Sequence, residues 1–319
     1  MKFDHASLQR LSAETGFRPQ VLEKVLHLLD LLEGFRKHPF LRDRFVLKGG
    51  AALNAFIFHL PRLSADIDLN YVGESSANKM KEERPKFEEA VKAVCARQEL
   101  EVQRVPEDYL GGKWVLRYVS VLGGESNLEL DINFGYRIPF WNPPLRDSFE
   151  LGDIRASQIP VLDIHELTAG KLTALVARDA ARDVFDVWKL FEAHEFDRDR
   201  LRAGFVAYGA MSRRDWRTIS VDDIDYDAES LKNELLPFLR NTAEDTFTLE
   251  DCRDMIERSR EVLEGLLPFT ADEQTFLDRL LDEGVIEANL LTVDSDFCRR
   301  LTEHPLLKWK ALNVRQHKN

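Results

Sequence analysis

Two acidic residues stand one residue apart in the segment LSADIDLN, residues 63–70. Apolar and polar residues alternate there, so the side chains of Ser64, Asp66 and Asp68 should share one face of a β-strand. Burying an unpaired charge costs several kcal/mol or more. Two carboxylates on one face of an otherwise apolar strand therefore indicate that a cation compensates them.

A third acid lies in a second alternating segment, NLELDINFGYR, residues 127–137. There Asp131 falls on the polar face of a predicted strand. Mg²⁺ or Mn²⁺ takes oxygen ligands, commonly one or two carboxylates together with the phosphates of a bound nucleotide. Asp66 and Asp68 are suited to bridging two such ions, and Asp131 to ligating one of them and activating an attacking hydroxyl.

A Lys-Gly-Gly turn, Lys48 to Gly50, separates a short apolar strand from a helical segment within residues 43–60. Glycine lets backbone amides approach a phosphate closely. Taken alone, an Asp-x-Asp pair is more typical of a solvated edge strand, and a glycine pair indicates only a turn. Their succession, followed by the Asp131 strand, favours phosphoryl-transfer chemistry.

The elements that must position these residues follow from hydrophobic periodicity. Apolar residues recur at three- and four-residue intervals over residues 19–35, which predicts an amphipathic helix. Residues 76–100 predict a polar helix that Pro85 either interrupts or begins. Strands are predicted over residues 113–122 and 127–137, and helices from residue 163 onward.

These patterns predict an α+β protein of two domains. Residues 1–150 would form a domain with a small mixed sheet flanked by helices, and residues 151–319 a mainly helical domain. The boundary is placed near residues 145–162, because three of the twelve prolines fall in and next to this stretch.

Composition excludes several classes of protein. No apolar run approaches the roughly 20 residues that span a bilayer, and the N-terminus lacks the pattern of a signal peptide, so a cytoplasmic chain without a membrane partner is expected. The three cysteines are far apart, which fits neither a disulfide framework nor a zinc site.

The net charge of −12 is distributed unevenly along the chain. Between residues 221 and 305 there are 23 Asp and Glu against 8 Lys and Arg, a balance of −15, which leaves +3 for the rest of the chain. Anionic substrates are therefore not excluded at the aspartate strands.

The motifs resemble those of the DNA polymerase β-like nucleotidyltransferase superfamily, and more narrowly those of the AbiEii/AbiGii toxin family. The likeness spans roughly residues 43–195 and rests on the segments LKGGAALNAF, RLSADIDLNY, LELDINFGYR, HELTAGKLTAL and RDVFDVWKL. One departure is that fifteen residues separate Gly50 from Asp66, a longer gap than is usual in the superfamily.

The resemblance implies a role for each matching residue. It makes Gly49 and Gly50, after Lys48, the nucleotide-phosphate turn, and Asp66, Asp68 and Asp131 the metal ligands and catalytic acids. It makes Lys171 the cation that holds the triphosphate, and it assigns Asp183 and Asp186 to the acidic Arg-Asp-x-x-Asp segment of the site. Arg178 and Arg182 are further candidates, with ion pairs to Asp179, Asp183 or Asp186 as the alternative.

Ser64 is assigned to nucleotide binding from its place on the aspartate face. Its hydroxyl can donate to a phosphate oxygen, and a phosphate group placed on it would compete with the substrate for the metals. The alternative is a serine that merely opens the strand.

The implied activity is that of a toxin of a toxin–antitoxin or abortive-infection system. It would transfer a nucleoside monophosphate from an NTP to RNA, at the 3′ end of tRNA, and a cognate antitoxin encoded nearby would restrain it. A nucleotidyltransferase acting on a small molecule or a protein, and a non-catalytic interaction module, are the alternatives.

Overall fold

The computed structural model describes residues 3–240 and 247–317. The chain divides into two compact units, which we call the sheet unit and the helical unit. Of the described residues, the sheet unit comprises 3–137, 143–162 and 238–240, and the helical unit comprises 138–142, 163–237 and 247–317.

This division differs from a single cut at residue 150, because backbone hydrogen bonds return two later segments to the sheet unit. The N–H of Leu162 donates to the carbonyl of Leu47 at 3.0 Å. The N–H of Leu63 donates to the carbonyl of Phe238 at 2.8 Å. Such long-range pairs satisfy buried polar groups but leave no local pattern in the sequence.

The sheet unit is built on a five-stranded mixed sheet with the strand order β1-β2-β5-β4-β3. Its strands are β1 Phe45–Lys48, β2 Asp66–Tyr71, β3 Glu101–Arg104, β4 Gly111–Val119 and β5 Glu125–Asn133. β2 and β5 run parallel and the other neighbours are antiparallel. A separate two-stranded sheet pairs β6, Leu145–Arg146, with β7, Ile159–Pro160.

The described part of the sheet unit contains four α-helices, α1 His5–Thr15, α2 Pro19–Lys37, α3 Gly49–Ala52 and α4 Ala77–Arg97, and a π-helix, Leu53–Ile57, that directly follows α3. Pro19 opens α2, where its missing N–H needs no partner. Pro85 lies inside α4 and does not break it, because the proline is exposed while the neighbouring Phe87 is buried. The Phe87 ring packs edge-on against Tyr71 of β2 at 5.2 Å, so tertiary packing outweighs the lost hydrogen bond.

The described part of the helical unit contains helices and turns but no strand. Its α-helices are α5 Ile164–Ala177, α6 Ala181–Ala193, α7 Arg198–Met211, α8 Ala228–Ser230, α9 Leu249–Leu266, α10 Ala271–Asp278, α11 Ser295–Glu303 and α12 Pro305–His317, and short 3-10 and π-helices lie between them. The predicted α+β class, with a small mixed sheet and a mainly helical later part, is confirmed. None of the described helices is long and apolar enough to cross a membrane.

Candidate active site

Four charged residues form one row across the sheet. Lys48 of β1 is in register with Asp68 of β2, Asp68 with Asp131 of β5, and Asp131 with Lys113 of β4. Residues in direct register project from the same face of a sheet. The row therefore places two carboxylates side by side with a cation at each end.

Asp66 lies on the same face, two residues before Asp68, and is in register with Glu129. The Lys113 ammonium donates to the Glu129 carboxylate at 2.5 Å. That hydrogen bond, together with the charges of Glu129, Asp66 and Asp131, raises the pKa of Lys113. Lys113 is thus held as a cation at the edge of the aspartate face, a position that the sequence did not reveal.

Asp131 carries the electrostatic signature of this arrangement. Burial raises its pKa above the ordinary value, and the neighbouring Asp68 raises it further. Lys48 and Lys113 act in the opposite direction without cancelling the shift. A group that binds its proton more tightly than an ordinary aspartate is also a better proton acceptor.

The glycine turn lies directly against the aspartate strand. Gly49 has a φ of +72°, and a Cβ atom built on it would clash with Asp68 Oδ2. A Cβ atom on Gly50 would lie 2.7 Å from Ser64 Oγ and 2.9 Å from Nη2 of the buried Arg62. Both glycines are therefore required by a close approach of side chains to the turn. Arg62, like Lys113, was not singled out from the sequence.

The donor set suits a hard divalent cation. Asp68 and Asp131 face each other in register, Asp66 lies beside them, and all three supply carboxylate oxygens. Among the described residues, no group of three or more His, Cys, Asp or Glu side chains is gathered closely enough to hold a metal ion by itself. An ion held by these carboxylates would need further ligands from water or phosphate.

A second charged cluster lies in the helical unit. The Lys171 ammonium of α5 is 2.9 Å from Asp183 Oδ1 and 2.7 Å from Asp186 Oδ2, and both aspartates belong to α6 and are fully buried. Arg178 Nε lies 2.6 Å from the other oxygen of Asp183. Burial opposes ionisation of Asp183, but the attraction of Lys171 and the hydrogen bond from Arg178 hold its pKa well below the usual range.

These contacts show where the two candidate arginines lie. Arg178 makes the ion pair with Asp183 that the sequence offered as an alternative. Arg182 Nε lies 3.6 Å from the carboxylate of Glu234. The phosphate-binding role of Lys171 stays a prediction, since the described contacts of its ammonium are with carboxylates.

A buried acid in the helical unit was not among the sequence candidates. Glu166 of α5 accepts a hydrogen bond from the backbone N–H of Phe140 at 2.9 Å and from the Tyr208 hydroxyl at 3.1 Å. Burial raises the pKa of Glu166 to about 8. Its part in the HELTAGK segment was the only local signal, and the spacing gave no hint of its partners.

The structure thus gathers the predicted residues into two groups. The sheet unit brings together Lys48, Gly49, Gly50, Ser64, Asp66, Asp68 and Asp131. The helical unit brings together Lys171, Asp183 and Asp186. Their catalytic and binding roles, including the proposed modification of Ser64, stay predictions.

Two comparisons with known proteins gave matches. Residues 30–283 match the family described as "Nucleotidyl transferase AbiEii toxin, Type IV TA system". The fold is similar to that of MenT4, a nucleotidyltransferase toxin from Mycobacterium tuberculosis H37Rv, with a TM-score of 0.54 and 18% identity over 98% of this chain and 99% of that one. At this identity the likeness shows the fold alone. A search of curated proteins found no match.

Proposed function

Because the chain belongs to the AbiEii family of nucleotidyl transferase toxins of type IV toxin–antitoxin systems, we propose that it transfers a nucleoside monophosphate from an NTP to RNA. The proposed acceptor is the hydroxyl at the 3′ end of tRNA, with pyrophosphate as the second product. Modification of that end prevents aminoacylation and so stops translation. A cognate antitoxin is the expected partner.

The observation that carries the proposal is the row of Asp68 and Asp131 beside the Gly49 turn. Asp66, Asp68 and Asp131 would hold Mg²⁺ or Mn²⁺, whose charge stabilises the phosphate oxygens as negative charge shifts during transfer. Because these side chains share one face of the sheet, the triphosphate would bind on that face.

The protein supplies the remaining functions directly. Backbone N–H groups at Gly49 and Gly50 would donate to phosphate oxygens, as glycine turns allow. Asp131, in register with Asp68, is placed to accept the proton of the attacking hydroxyl. Lys48 and Lys113, at the two ends of the row, provide positive charge toward an anionic substrate.

The test is to incubate the full chain with each labelled NTP in turn, Mg²⁺ and total tRNA, and to follow label in RNA and release of pyrophosphate. We expect one or more NTPs to label tRNA, and the double variant Asp66→Asn/Asp68→Asn to lose about a hundredfold or more in rate, since several kcal/mol of charge stabilisation is removed. Glu89→Gln, an exposed acid on α4, is the matched control and should react like wild type.

Two outcomes would contradict the proposal. Label that enters protein or a small molecule but never RNA would show a different acceptor on the same site. Full activity in the double aspartate variant at saturating Mg²⁺ would remove the metal site from the reaction.

A further inference from the structure

The last described helix, α12, buries one side and exposes the other. Leu307 and Ala311 on the inner side are buried, and Lys310 donates to the carbonyl of Ser212 at 2.8 Å. The outer face, as we call the opposite side, consists of the exposed residues Lys308, Trp309, Leu312, Arg315 and Gln316. Their three- and four-residue spacing places them in one stripe along the helix.

Two large apolar side chains are exposed on this face. Trp309 is 59% exposed and Leu312 is 47% exposed. Tryptophan side chains are usually buried, because removing their large apolar area from water is favourable. A tryptophan left in solvent between two cations therefore points to a ligand that covers it.

The outer face is also positively charged within an acidic region. Residues 305–317 contain no Asp or Glu, whereas residues 221–305 carry a balance of −15. The acids that neighbour α12 are paired elsewhere: Asp282 lies 2.6 Å from Arg217, and Glu283 lies 3.7 Å from Arg279.

The cations of the outer face keep their charge available. Lys308 and Arg315 form no ion pair with any residue in the described ranges, 3–240 and 247–317. The aliphatic stem of Arg315 lies against Gly284, where a Cβ atom would be 2.8 Å from Arg315 Cγ, so the inner part of this side chain is held in place.

We propose that the outer face of α12 binds the RNA acceptor, with Lys308 and Arg315 on backbone phosphates and Trp309 stacked on an unpaired base. This inference rests on the proposed function, because that function supplies RNA as the substrate. Six residues separate the two cations, which lie about 10 Å apart along the helix axis, so a strand can cross Trp309 between them. Cations that follow the backbone and an aromatic side chain that stacks a base are the two elements of single-strand binding.

RNA fits this face better than a lipid surface does. An interfacial helix needs a broad apolar face, and the outer face offers only Trp309 and Leu312. The helix also lies beyond residues 30–283, so the family match does not account for it.

The experiment measures binding of fluorescently labelled tRNA to the full chain without NTP, over a series of salt concentrations. We expect Lys308→Glu/Arg315→Glu to weaken binding about tenfold or more near 0.1 M salt and to reduce the slope of log affinity against log salt by about 1 to 2. Trp309→Ala should weaken tRNA binding about fivefold or more, and Trp309→Phe, which can still stack on a base, should keep most of the wild-type affinity.

Two matched controls separate this face from general charge and surface effects. Lys92→Glu/Arg97→Glu makes the same charge change at exposed positions of α4, and Leu249→Ala removes an exposed apolar side chain at the start of α9. Both should bind tRNA within about twofold of wild type. In transfer assays, the outer-face variants should raise KM for RNA and leave KM for NTP unchanged.

Equal binding by the outer-face variants and their controls would overturn the inference, whether or not the enzyme labels RNA. The same variants are also tested for binding to phosphatidylserine vesicles and to an acidic peptide. If the outer-face variants lose binding to either of these but still bind tRNA like wild type, the assignment of the face to RNA is wrong. If tRNA binding depends on Trp309 and the two cations but no NTP labels RNA, the proposed function fails and this inference stands.

Discussion

Lys171 is enclosed by two fully buried carboxylates, and removal of its charge has a cost that is separate from any catalytic role. We predict that Lys171→Met loses most nucleotidyl transfer and also about 3 to 5 kcal/mol of stability, because Asp183 and Asp186 would remain charged and buried. Urea unfolding measures the stability, and labelled-NTP transfer measures the activity.

The triple variant Lys171→Met/Asp183→Asn/Asp186→Asn separates the two effects. Removing both charges with the lysine should recover most of the stability but not the activity. If Lys171→Met instead matches wild type in turnover and NTP affinity, the phosphate-binding assignment of Lys171 is wrong.

At the scale of residues, sequence periodicity predicted which side chains lie together when those residues belong to one strand. Alternation alone placed Asp66 and Asp68 on a common face, and their register with β1 and β5 agrees with that. Lys113 was missed because its position beside Asp131 depends on the strand order of the sheet, which no local pattern encodes. The pairing of Lys171 with α6 likewise depends on helix packing.

Among the elements, the first turn of α3 depends on glycine for two different reasons, a positive φ at Gly49 and a close approach of side chains. We predict that Gly49→Ala costs about 1 to 3 kcal/mol and abolishes transfer, because the new methyl group would displace the Asp68 carboxylate. Thermal unfolding and the transfer assay provide the measurements.

Gly124 provides the control, because its φ of +78° is close to the +72° of Gly49, while a Cβ atom there would meet nothing within 4 Å. Gly124→Ala should show the backbone strain alone and keep full activity. Equal losses of activity in the two variants would contradict a specific fit between Gly49 and Asp68.

Helix α5 holds residues 138–142 of the helical unit through Glu166, whose pKa is raised to about 8 from 4.5 by burial. The folded state then binds a proton more tightly than the unfolded state, so wild-type stability should fall as pH rises from about 4.5 to 8. The slope is at most about 1.4 kcal/mol per pH unit.

We predict that Glu166→Gln lacks this loss, because glutamine cannot ionise and its amide oxygen can still accept from the Phe140 N–H. Urea unfolding at pH 5.5 and pH 8.5 measures the difference between wild type and variant. The variant should be the more stable of the two at pH 8.5, with a smaller difference at pH 5.5. Parallel pH profiles would show that Glu166 does not titrate in this range.

Elements whose signals are local were predictable. The helix over residues 19–35 appears as Pro19–Lys37, and the aspartate strand appears within its predicted segment. The course of α4 through Pro85 was not predictable, because packing of Phe87 against Tyr71 decides it.

For the whole molecule, the division into units was the least predictable feature. The return of residues 143–162 and 238–240 to the sheet unit rests on backbone pairs such as Leu47 with Leu162, which join residues distant in sequence. The distribution of charge along the chain, in contrast, could be read directly from the sequence. It shows that α12 contains no acidic residue, although residues 221–305 before it are strongly acidic.

A ligand that binds the folded chain and not the unfolded chain raises the apparent free energy of unfolding. At a ligand concentration a hundredfold above Kd the increase is about 2.7 kcal/mol, which corresponds to several degrees in Tm. We therefore predict that NTP with Mg²⁺ raises the Tm of wild type, measured by thermal unfolding at fixed protein concentration. Asp66→Asn/Asp68→Asn should lose this increase, yet melt at or slightly above wild type without ligand, because like charges have been removed from one strand face. Lys308→Glu/Arg315→Glu should keep the increase, since the outer face is assigned to RNA and not to the nucleotide. If Tm rises equally in the aspartate variant, the nucleotide binds elsewhere. If Tm no longer rises in the outer-face variant, the outer face also takes part in nucleotide binding.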